Sequence, residues 1–530
     1  MYTAAPTASV DVKALADPRY QRALFARGYL ISRRAFDLDD GFPFFGNWSR
    51  TRIGAWVLHA HCQTSVHLHS AGELNLVLIG HAYNPSSLVM DESLLLAEAA
   101  SRLATSADAF HACIAEWTGR FVLFAIRGAE LMAVQDCAGM RALFYGEEGG
   151  IPYLCSHAQL LADLLGLEMT PWIRKLVNAR EYKVGIRFLP GNVSPFPGVM
   201  RLGPNTVLAW REAGFSVQRF YPLNRFACAV NDEEQSELVK RIAEILRASL
   251  EITAAKWKSP AVSLTGGTDS QTTLAASVTS RDRMRYFTFA SSVEEARDLD
   301  AASKLAKRLG LDHHACLIPD SGDDLEGYEE LSAIVRHNAA YVRENAPNDL
   351  RKLTYFTLNP ICEVDVKSWV SEIGRSNFSK RLGMERLPKP LSPRQMTILY
   401  KRIFFDRTLL RQVDAAFASW MEEVGFGNIP GLDDADMVYW EHRFPGWGAL
   451  ALNEFDMCWE TTLPFNNRRL IEMFLAFPRT RRIADYAHKE VVKLLDPELS
   501  ACDVHIVNFS KQRGRVALER LFFEINSRLP

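Results

Sequence analysis

The sequence predicts two fold classes in one chain: an α+β domain of stacked antiparallel sheets with helices outside them (αββα), then an α/β domain built on a parallel sheet with additional helices. Three observations predict this. Short strand-like segments separated by turns dominate residues 48–221, helical and strand-like segments alternate after residue 231, and an apolar run leads through two glycines into a helical pattern near residue 266. We expect the two domains to span residues 1–225 and 230–530.

Composition indicates a globular protein and disfavours some classes of partner. The chain has 530 residues, of which 48% are hydrophobic, enough for two substantial cores. Its 61 basic and 63 acidic residues give a formal net charge of −2, so nucleic acid and anionic membranes are not expected as partners. No apolar run approaches the ~20 residues of a spanning helix and no signal-peptide pattern opens the chain, so we expect a cytoplasmic protein. The nine cysteines form no C-x-x-C pair, as expected of free thiols.

In the first domain, runs of apolar residues predict strands at 53–58, 65–69, 74–79, 121–126, 131–135, 143–145, 152–155 and 206–210. Helices are predicted at 92–103, 107–115 and 157–165. So many strands at this spacing, with few helices, are typical of stacked antiparallel sheets. Residues 1 to about 50 carry no site that we can identify.

This domain resembles the glutaminase domain of asparagine synthetases in three segments. Segment 117–123 is similar to the family's G-x-F strand, segment 135–145 to its R-D-P-x-G-x-R-P-L-Y-Y hairpin, and segment 154–157 to its A-S-E strand end. Gln135 replaces the arginine of the hairpin, and His157 replaces the glutamate of the strand end. Glutaminases of this family use a cysteine that becomes the N-terminal residue after removal of Met. This chain has Tyr2, and its first cysteine is Cys62. The resemblance therefore implies an inactive glutaminase-like domain.

The second domain opens with a glycine loop between a predicted strand and a predicted helix. Its predicted ATP- and pyrophosphate-binding residues are Ser263, Leu264, Thr265, Gly266, Gly267, Thr268, Asp269 and Ser270. Two glycines let the backbone approach an anion, and the following helix directs its positive end at the same point. Asp269 only accepts hydrogen bonds when ionised and is suited to hold Mg²⁺. The loop resembles the S-G-G-x-D-S loop of ATP-pyrophosphatases, with Thr265 as its first serine, which implies cleavage of ATP to AMP and pyrophosphate.

Around this loop the pattern predicts a helix at 232–251, a strand at 261, a strand at 285–289, a helix at 293–309 and a strand at 312–317. This is the succession of a parallel sheet, in which ligands lie beyond the carboxyl ends of the strands. Segment 289–300 resembles the segment after the second strand in the same family, so Phe289 is expected at the nucleotide. His313 and His314 are adjacent on a strand and face opposite ways, which disfavours a shared metal.

The family's second aspartate ligand for Mg²⁺ is missing from this sequence. Segment 368–377 stands in its place, with Ser376 at the aspartate position and Ile373 where β-lactam-forming relatives place a catalytic tyrosine. We expect Glu372, at the end of a strand, to act as the substitute ligand and catalytic carboxylate; the alternative is a surface carboxylate paired with Arg375. Arg375 is expected to neutralise pyrophosphate.

Residues 385–435 are predicted to be mostly helical. Segment 454–475 then resembles the family's E-x-R-x-P-F-L-D segment, with Thr462 and Asn467 in place of the arginine and aspartate. Segment 483–489 matches the family's G-x-x-K only at Lys489. The resemblance implies that Lys489 stabilises charge on the α-phosphate or pyrophosphate; the alternative is a solvated surface lysine.

The resemblance covers residues 50–515 and implies an ATP-dependent amide-bond-forming ligase that uses ATP and Mg²⁺. The enzyme would adenylate a substrate carboxylate and close an amide or lactam with free ammonia or an amine of the substrate itself, as β-lactam synthetases and lasso-peptide macrolactam synthetases do. Expected partners are a small-molecule or peptide carboxylate and proteins of a biosynthetic pathway, without nucleic acid or membrane. The sequence does not identify the carboxylate or the amine.

Three alternatives remain open at this point. One is a glutamine-independent amidating enzyme similar to asparagine synthetase. Another is an AMP-forming modifier of a nucleic acid or sulfur carrier, which the neutral charge and the first domain disfavour. The third is a degenerate homologue that acts only as a binding partner, as the changes at Ser376, Thr462 and Asn467 would allow.

Overall fold

The structure is a computed structural model that describes residues 15–184, 187–224, 226–229, 231–343, 345–401, 406–427, 429, 431–502 and 513–527. The strands of its first half are β1 (Tyr29–Ser32), β2 (Trp48–Ile53), β3 (Trp56–His61), β4 (Val66–Ala71), β5 (Leu74–Tyr83), β6 (Thr118–Arg127), β7 (Glu130–Gln135), β8 (Phe144–Glu148), β9 (Ile151–Cys155), β10 (Val199–Arg201), β11 (Thr206–Arg211) and β12 (Gly214–Arg219). The helices of this half are α1 (Pro18–Gln21), α2 (Glu92–Thr105), α3 (Ala107–Ala115), α4 (Ala158–Leu165), α5 (Pro171–Asn178) and α6 (Arg180–Lys183).

These strands form two six-stranded antiparallel sheets, in the orders β10-β8-β9-β1-β3-β2 and β12-β11-β7-β6-β5-β4. Side chains of both sheets, including Ile31, Trp56 and Phe124, make one core between them. Helices α2 and α3 cover the other face of the second sheet, with Leu96 and Phe110 in a separate core. β5 and β6 are therefore buried on both faces, which explains their nearly unbroken apolar sequences. The predicted αββα arrangement is confirmed.

Two sequence predictions for this half need correction. The single strand predicted at 53–58 is a hairpin, because Gly54 adopts a positive φ of 59° and turns β2 back into β3. Strands β1, β10 and β12 were not predicted. β1 has four residues, all buried, and β10 has three, so neither is long enough to show a period.

The strands of the second half are β13 (Pro260–Ser263), β14 (Arg285–Ala290), β15 (His313–Leu317), β16 (Val364–Val366) and β17 (Glu460–Thr462). Its helices are α7 (Asp232–Lys256), α8 (Thr268–Ala276), α9 (Val293–Arg308), α10 (Tyr328–Asn338), α11 (Pro347–Leu358), α12 (Asn377–Leu382), α13 (Pro393–Lys401), α14 (Arg407–Glu423), α15 (Asp434–Val438), α16 (Ala449–Phe455), α17 (Arg468–Ala476), α18 (Arg479–Ile483), α19 (Tyr486–Leu495), α20 (Pro497–Ser500) and α21 (Arg513–Asn526). A π-helix spans Tyr439–Gly448, and 3₁₀-helices span Arg281–Arg283, Gly322–Asp324 and Ser371–Arg375.

The five strands of the second half form one parallel sheet in the order β15-β14-β13-β16-β17, as the alternating pattern predicted. β13 lies at the centre, so the glycine loop that follows it opens at the middle of the carboxyl edge. Helix α7 leads into β13 and begins with a capping box in which Asn231 and Glu234 bind each other's backbone. Within the described ranges, no helix combines the length and apolar character that crossing a bilayer requires.

A buried polar network joins the two halves of the chain. Arg120 of β6 donates to both oxygens of Asp456, at 2.5 and 2.8 Å, and both side chains are at most 2% exposed. Arg141 donates to Glu460 at 2.9 and 3.0 Å. Burial alone would raise the pKa of Glu460, but Arg141 and Arg120 outweigh it and hold that pKa well below its ordinary value. The parallel sheet is thus fixed against the first half by paired charges.

Candidate functional site

The glycine loop connects β13 to α8 at the carboxyl edge of the parallel sheet. Its backbone is held from within, because the Thr265 N–H donates to Ser270 Oγ at 2.8 Å. Gly267 is the N-cap of α8 and has a φ of −75°, an ordinary value for any residue. A Cβ there would lie 3.5 Å from Thr265 Oγ1, which is an ordinary van der Waals contact. The first N–H groups of α8 carry no side-chain cap, and such groups bind anions.

Asp269, in the first turn of α8, is held by groups from a distant segment. The Ser371 hydroxyl donates to one carboxylate oxygen, and the Arg375 guanidinium pairs with the other. Arg375 also donates to Asp485 at 2.8 and 3.1 Å. Burial disfavours the charge on Arg375, but these carboxylates more than compensate and raise its pKa above the ordinary value. Asp269, Arg375 and Asp485 therefore form a chain of ion pairs at the mouth of the loop.

Glu372 lies beside this chain but not where the sequence predicted it. It does not end a strand, because β16 stops at Val366 and Glu372 belongs to the 3₁₀-helix Ser371–Arg375. It is not a surface carboxylate either, since its Oε2 atom is buried and has no hydrogen-bond partner. Burial, and next the charge of Asp269, raise the pKa of Glu372 to about 8. Ser376, at the position of the missing aspartate, is also buried, and its Oγ has no partner.

The pair of Asp269 and Glu372 fits a divalent cation. An unpaired buried carboxylate oxygen is costly unless it is protonated or coordinates a metal. Glu372 has such an oxygen, and it lies close enough to Asp269 for the two charges to interact. Two carboxylates suit Mg²⁺ when phosphate oxygens and water complete its coordination, because Mg²⁺ keeps part of its hydration when bound. Arg375 already balances Asp269, so a cation would face Glu372 most directly.

Lys489 and Lys380 lie in different environments. Lys489 is exposed, and its amine donates to the Ala484 carbonyl at 2.8 Å. Its predicted role at the phosphates stays a prediction. Lys380 of α12 instead donates to Asp485 at 2.5 Å, and burial lowers its pKa. His488, next to Lys489, is buried with Nε2 3.9 Å from Asp269. Sequence analysis missed Lys380 and His488.

A cavity of about 320 Å³ adjoins the glycine loop beyond the ends of β13 and β14. Its walls include Ser263, Leu264, Thr265 and Phe289, which the sequence predicted at the nucleotide, together with Trp369 and Trp447. The two tryptophan rings lie 4.8 Å apart.

Charged groups from helix α11 and from the segment before it complete the wall of this cavity. The Lys352 amine lies 4.7 Å above the Phe289 ring and 3.2 Å from Glu295. Arg343 lies 3.4 Å from Glu454, whose pKa burial raises. These groups were not predicted, because nothing local in the sequence connects them to the loop.

Within the described part of the first half, three residues can be compared with the glutaminase site: Cys62, Gln135 and His157. Cys62 follows β3 and is exposed, with its sulfur 4.0 Å from the ring of His61. Gln135 is buried and donates to the Arg141 carbonyl at 2.7 Å. His157 is buried with Nδ1 2.8 Å from Ser156 Oγ. Gln135 and His157 are therefore both buried and each has a polar contact within the first half.

No family model matches this sequence, and no curated protein matches it. Solved structures that align with it include the allosteric regulatory enzyme of purine biosynthesis, with 12% identity, a TM-score of 0.23 and coverage of 46% of this chain and 57% of that one. Glutamine phosphoribosylpyrophosphate amidotransferase from B. subtilis, complexed with ADP and GMP, has 12% identity, a TM-score of 0.23 and coverage of 76% of both chains. Glutamine-dependent NAD⁺ synthetase from Acinetobacter baumannii, in complex with ADP, has 13% identity, a TM-score of 0.20 and coverage of 42% and 49%.

The sequence identities and TM-scores of these alignments are too low to establish a shared fold or a shared site. This chain spans 57% of the length of the first and 49% of the length of the third. The architecture and the site geometry above stand on this structure.

Proposed function

We propose that this chain is an ATP-dependent carbon–nitrogen ligase that adenylates a substrate carboxylate and then forms an amide or lactam bond. The observation that carries the proposal is the glycine loop, which has Asp269 in the first turn of the following helix and Glu372 near it, and whose residues Ser263, Leu264 and Thr265 line the cavity of about 320 Å³. Anion-binding backbone, paired carboxylates and a walled cavity are the three elements that adenylation requires.

In the first step, an oxygen of the substrate carboxylate attacks the α-phosphorus of ATP, and the bond to the bridging oxygen of pyrophosphate breaks. The N–H groups that open α8 and the hydroxyls of Thr268 and Ser270 would hold the leaving pyrophosphate. Arg375 would neutralise part of its charge, with Lys489 as the proposed second cation. Mg²⁺, held by Asp269 and Glu372, would supply further neutralisation of phosphate charge when bound.

In the second step, an amine nitrogen attacks the acyl carbon, AMP leaves, and the nitrogen loses a proton. Trp369, Trp447 and Phe289 would exclude water from the adenylate, because their rings form much of the cavity wall. The amine would come from the substrate or from free ammonia. A substrate with both groups on one molecule, as in macrolactam formation, is the specific form we favour.

We also propose that residues 1–225 are an inactive glutaminase-like domain and residues 230–530 an ATP-pyrophosphatase domain. The end of β12 at Arg219 and the start of α7 at Asp232 support the boundary. The exposed loop position of Cys62 supports the loss of glutaminase activity, because its thiol lacks the N-terminal amine that activates such nucleophiles.

A pyrophosphate-release assay tests the proposal. The full chain is incubated with ATP, MgCl₂ and pools of carboxylates that carry an amine, and each active pool is analysed by mass spectrometry. The expected product is lighter than the substrate by one water when a lactam closes. An AMP adduct on RNA or on a sulfur carrier would support the modifier instead. No pyrophosphate release with any pool, from protein that binds no ATP, would support the non-catalytic homologue.

A further inference from the structure

Arg201, the last residue of β10, is a buried arginine without a counter-ion. Its side chain is 7% exposed, and Nη2 donates to the Gly191 carbonyl at 2.6 Å. Its Nε atom is buried and has no hydrogen-bond partner. No carboxylate lies within 4 Å of the guanidinium in the part of the chain that the structure describes. A buried charge of this kind is costly unless an opposite charge compensates it.

The guanidinium lines a small cavity between the two halves of the chain. The cavity has a volume of about 50 Å³, and its walls include Ala142, His157 and Ser194 from the first half and Asn338, Gly446 and Asn453 from the second. Gly446 leaves room for the guanidinium, because a Cβ at this position would lie 2.7 Å from Arg201 Nη1.

A second unsatisfied group lines the same cavity. His157 is 2% exposed, and its Nε2 atom has no hydrogen-bond partner. The Ser156 hydroxyl oxygen accepts from the Tyr29 N–H at 2.9 Å and lies 2.8 Å from His157 Nδ1. The hydroxyl has two acceptors, the Tyr29 carbonyl at 3.3 Å and His157 Nδ1 at 2.8 Å. We assign its proton to the nearer one, Nδ1, so that Nε2 carries the ring hydrogen. The cavity wall then presents two buried N–H donors and one positive charge.

The surrounding groups do not supply negative charge. Burial lowers the pKa of Arg201 only to about 10, so the guanidinium stays charged at neutral pH. Burial, and next the charge of Arg201, hold the pKa of His442 well below its ordinary value. Burial, and next Arg120, lower the pKa of His157 to about 3. The net charge at the cavity is therefore positive.

We propose that the cavity binds a small monovalent anion of the size of chloride, held by Arg201 and His157. Because one water needs about 10–15 Å³ of such space, the cavity has room for a chloride ion with a remaining water but not for a nucleotide. The ion compensates the buried charge inside a cavity whose walls come from both halves of the chain. The site is separate from the glycine loop and does not depend on the proposed function.

Thermal unfolding of the full chain tests this site. Sodium chloride is titrated against sodium gluconate at constant sodium concentration, because gluconate is too large for the cavity. The unfolding midpoint is expected to rise with chloride, by about 2 °C at saturation, as for any ligand that binds only the folded state. Arg201→Met should abolish this dependence. Arg469→Met removes a partly exposed arginine paired with Glu472 at 3.0 Å and should leave the dependence unchanged.

Crystals of the wild-type chain soaked in bromide give a measurement that does not depend on the variant folding. An anomalous peak between Arg201 and His157 is the expected result. Water alone in the cavity at saturating bromide, or equal stabilisation by chloride and gluconate, would overturn the proposal.

Discussion

Replacing Glu372 by glutamine should change how the stability of the protein depends on pH. In the folded chain burial and the charge of Asp269 raise the pKa of Glu372 from its ordinary 4.5 to about 8. The unfolded chain therefore releases this proton first as the pH rises. The stability associated with the protonated group is complete below pH 4.5 and is lost progressively up to about pH 8. Glutamine cannot ionise, so Glu372→Gln should not show this loss.

The size of the effect follows from the same values. One pKa unit corresponds to about 1.4 kcal/mol, so the displacement of the Glu372 pKa corresponds to about 5 kcal/mol as an upper bound. Glu372→Gln should match the wild type near pH 4.5 and exceed its free energy of unfolding by a few kcal/mol at pH 8.5. Urea unfolding at half-unit pH steps, without magnesium, measures the difference.

A surface variant and added magnesium complete the experiment. Glu147→Gln changes an exposed carboxyl at the end of β8 and should follow the wild type at every pH. Above pH 7, MgCl₂ should stabilise the wild type and not Glu372→Gln, because the cation compensates the ionised carboxylate. Parallel pH profiles for the wild type and Glu372→Gln would refute the buried, neutral state of Glu372.

Four further outcomes are expected. Asp269→Asn should lower magnesium-dependent pyrophosphate release about 10²-fold or more without unfolding, and unchanged turnover would remove Asp269 from the site. Lys489→Met should lower the same rate about tenfold or more while Lys493→Met, on an exposed part of the same helix, does not; equal rates would leave Lys489 a surface residue. Incubation with glutamine should yield no glutamate above background, and release sensitive to a thiol-alkylating glutamine analogue would contradict this. Arg120→Met should lower the free energy of unfolding in urea by about 3–5 kcal/mol, because it leaves the buried Asp456 carboxylate unpaired. The double variant with Asp456→Leu should recover part of this loss.

The parts of the site that the sequence predicted are those formed by neighbouring residues. The strand, the two glycines and Asp269 are contiguous, so one local pattern contains the whole loop. Glu372 was identified as a candidate but placed on the wrong element. Its burial depends on the close approach of Gly374 to α17, where a Cβ would lie 2.6 Å from the Phe474 side chain. The pattern of apolar residues around Gly374 does not indicate a contact with such a distant segment.

Contacts between distant segments account for the rest. Arg120 and Asp456 are 336 positions apart, and only the folded chain shows that they pair. Lys352 reaches the cavity from helix α11, and Arg343 reaches it from the loop before that helix. No local sequence pattern connects either residue to the glycine loop. The stacked antiparallel sheets of the first half were predicted as a fold class. The strand β1, near the centre of the first sheet, was not predicted because it is too short to show a strand pattern.

The paired charges between the halves bear on whether the second half could exist without the first. Deleting the first half would leave Asp456 and Glu460 without their arginine partners, on a newly exposed surface at the start of β17. The second half is thus not a portable module. An engineer who moves the second half into another scaffold must also transfer Arg120 and Arg141, or replace both acids with apolar side chains in the same step.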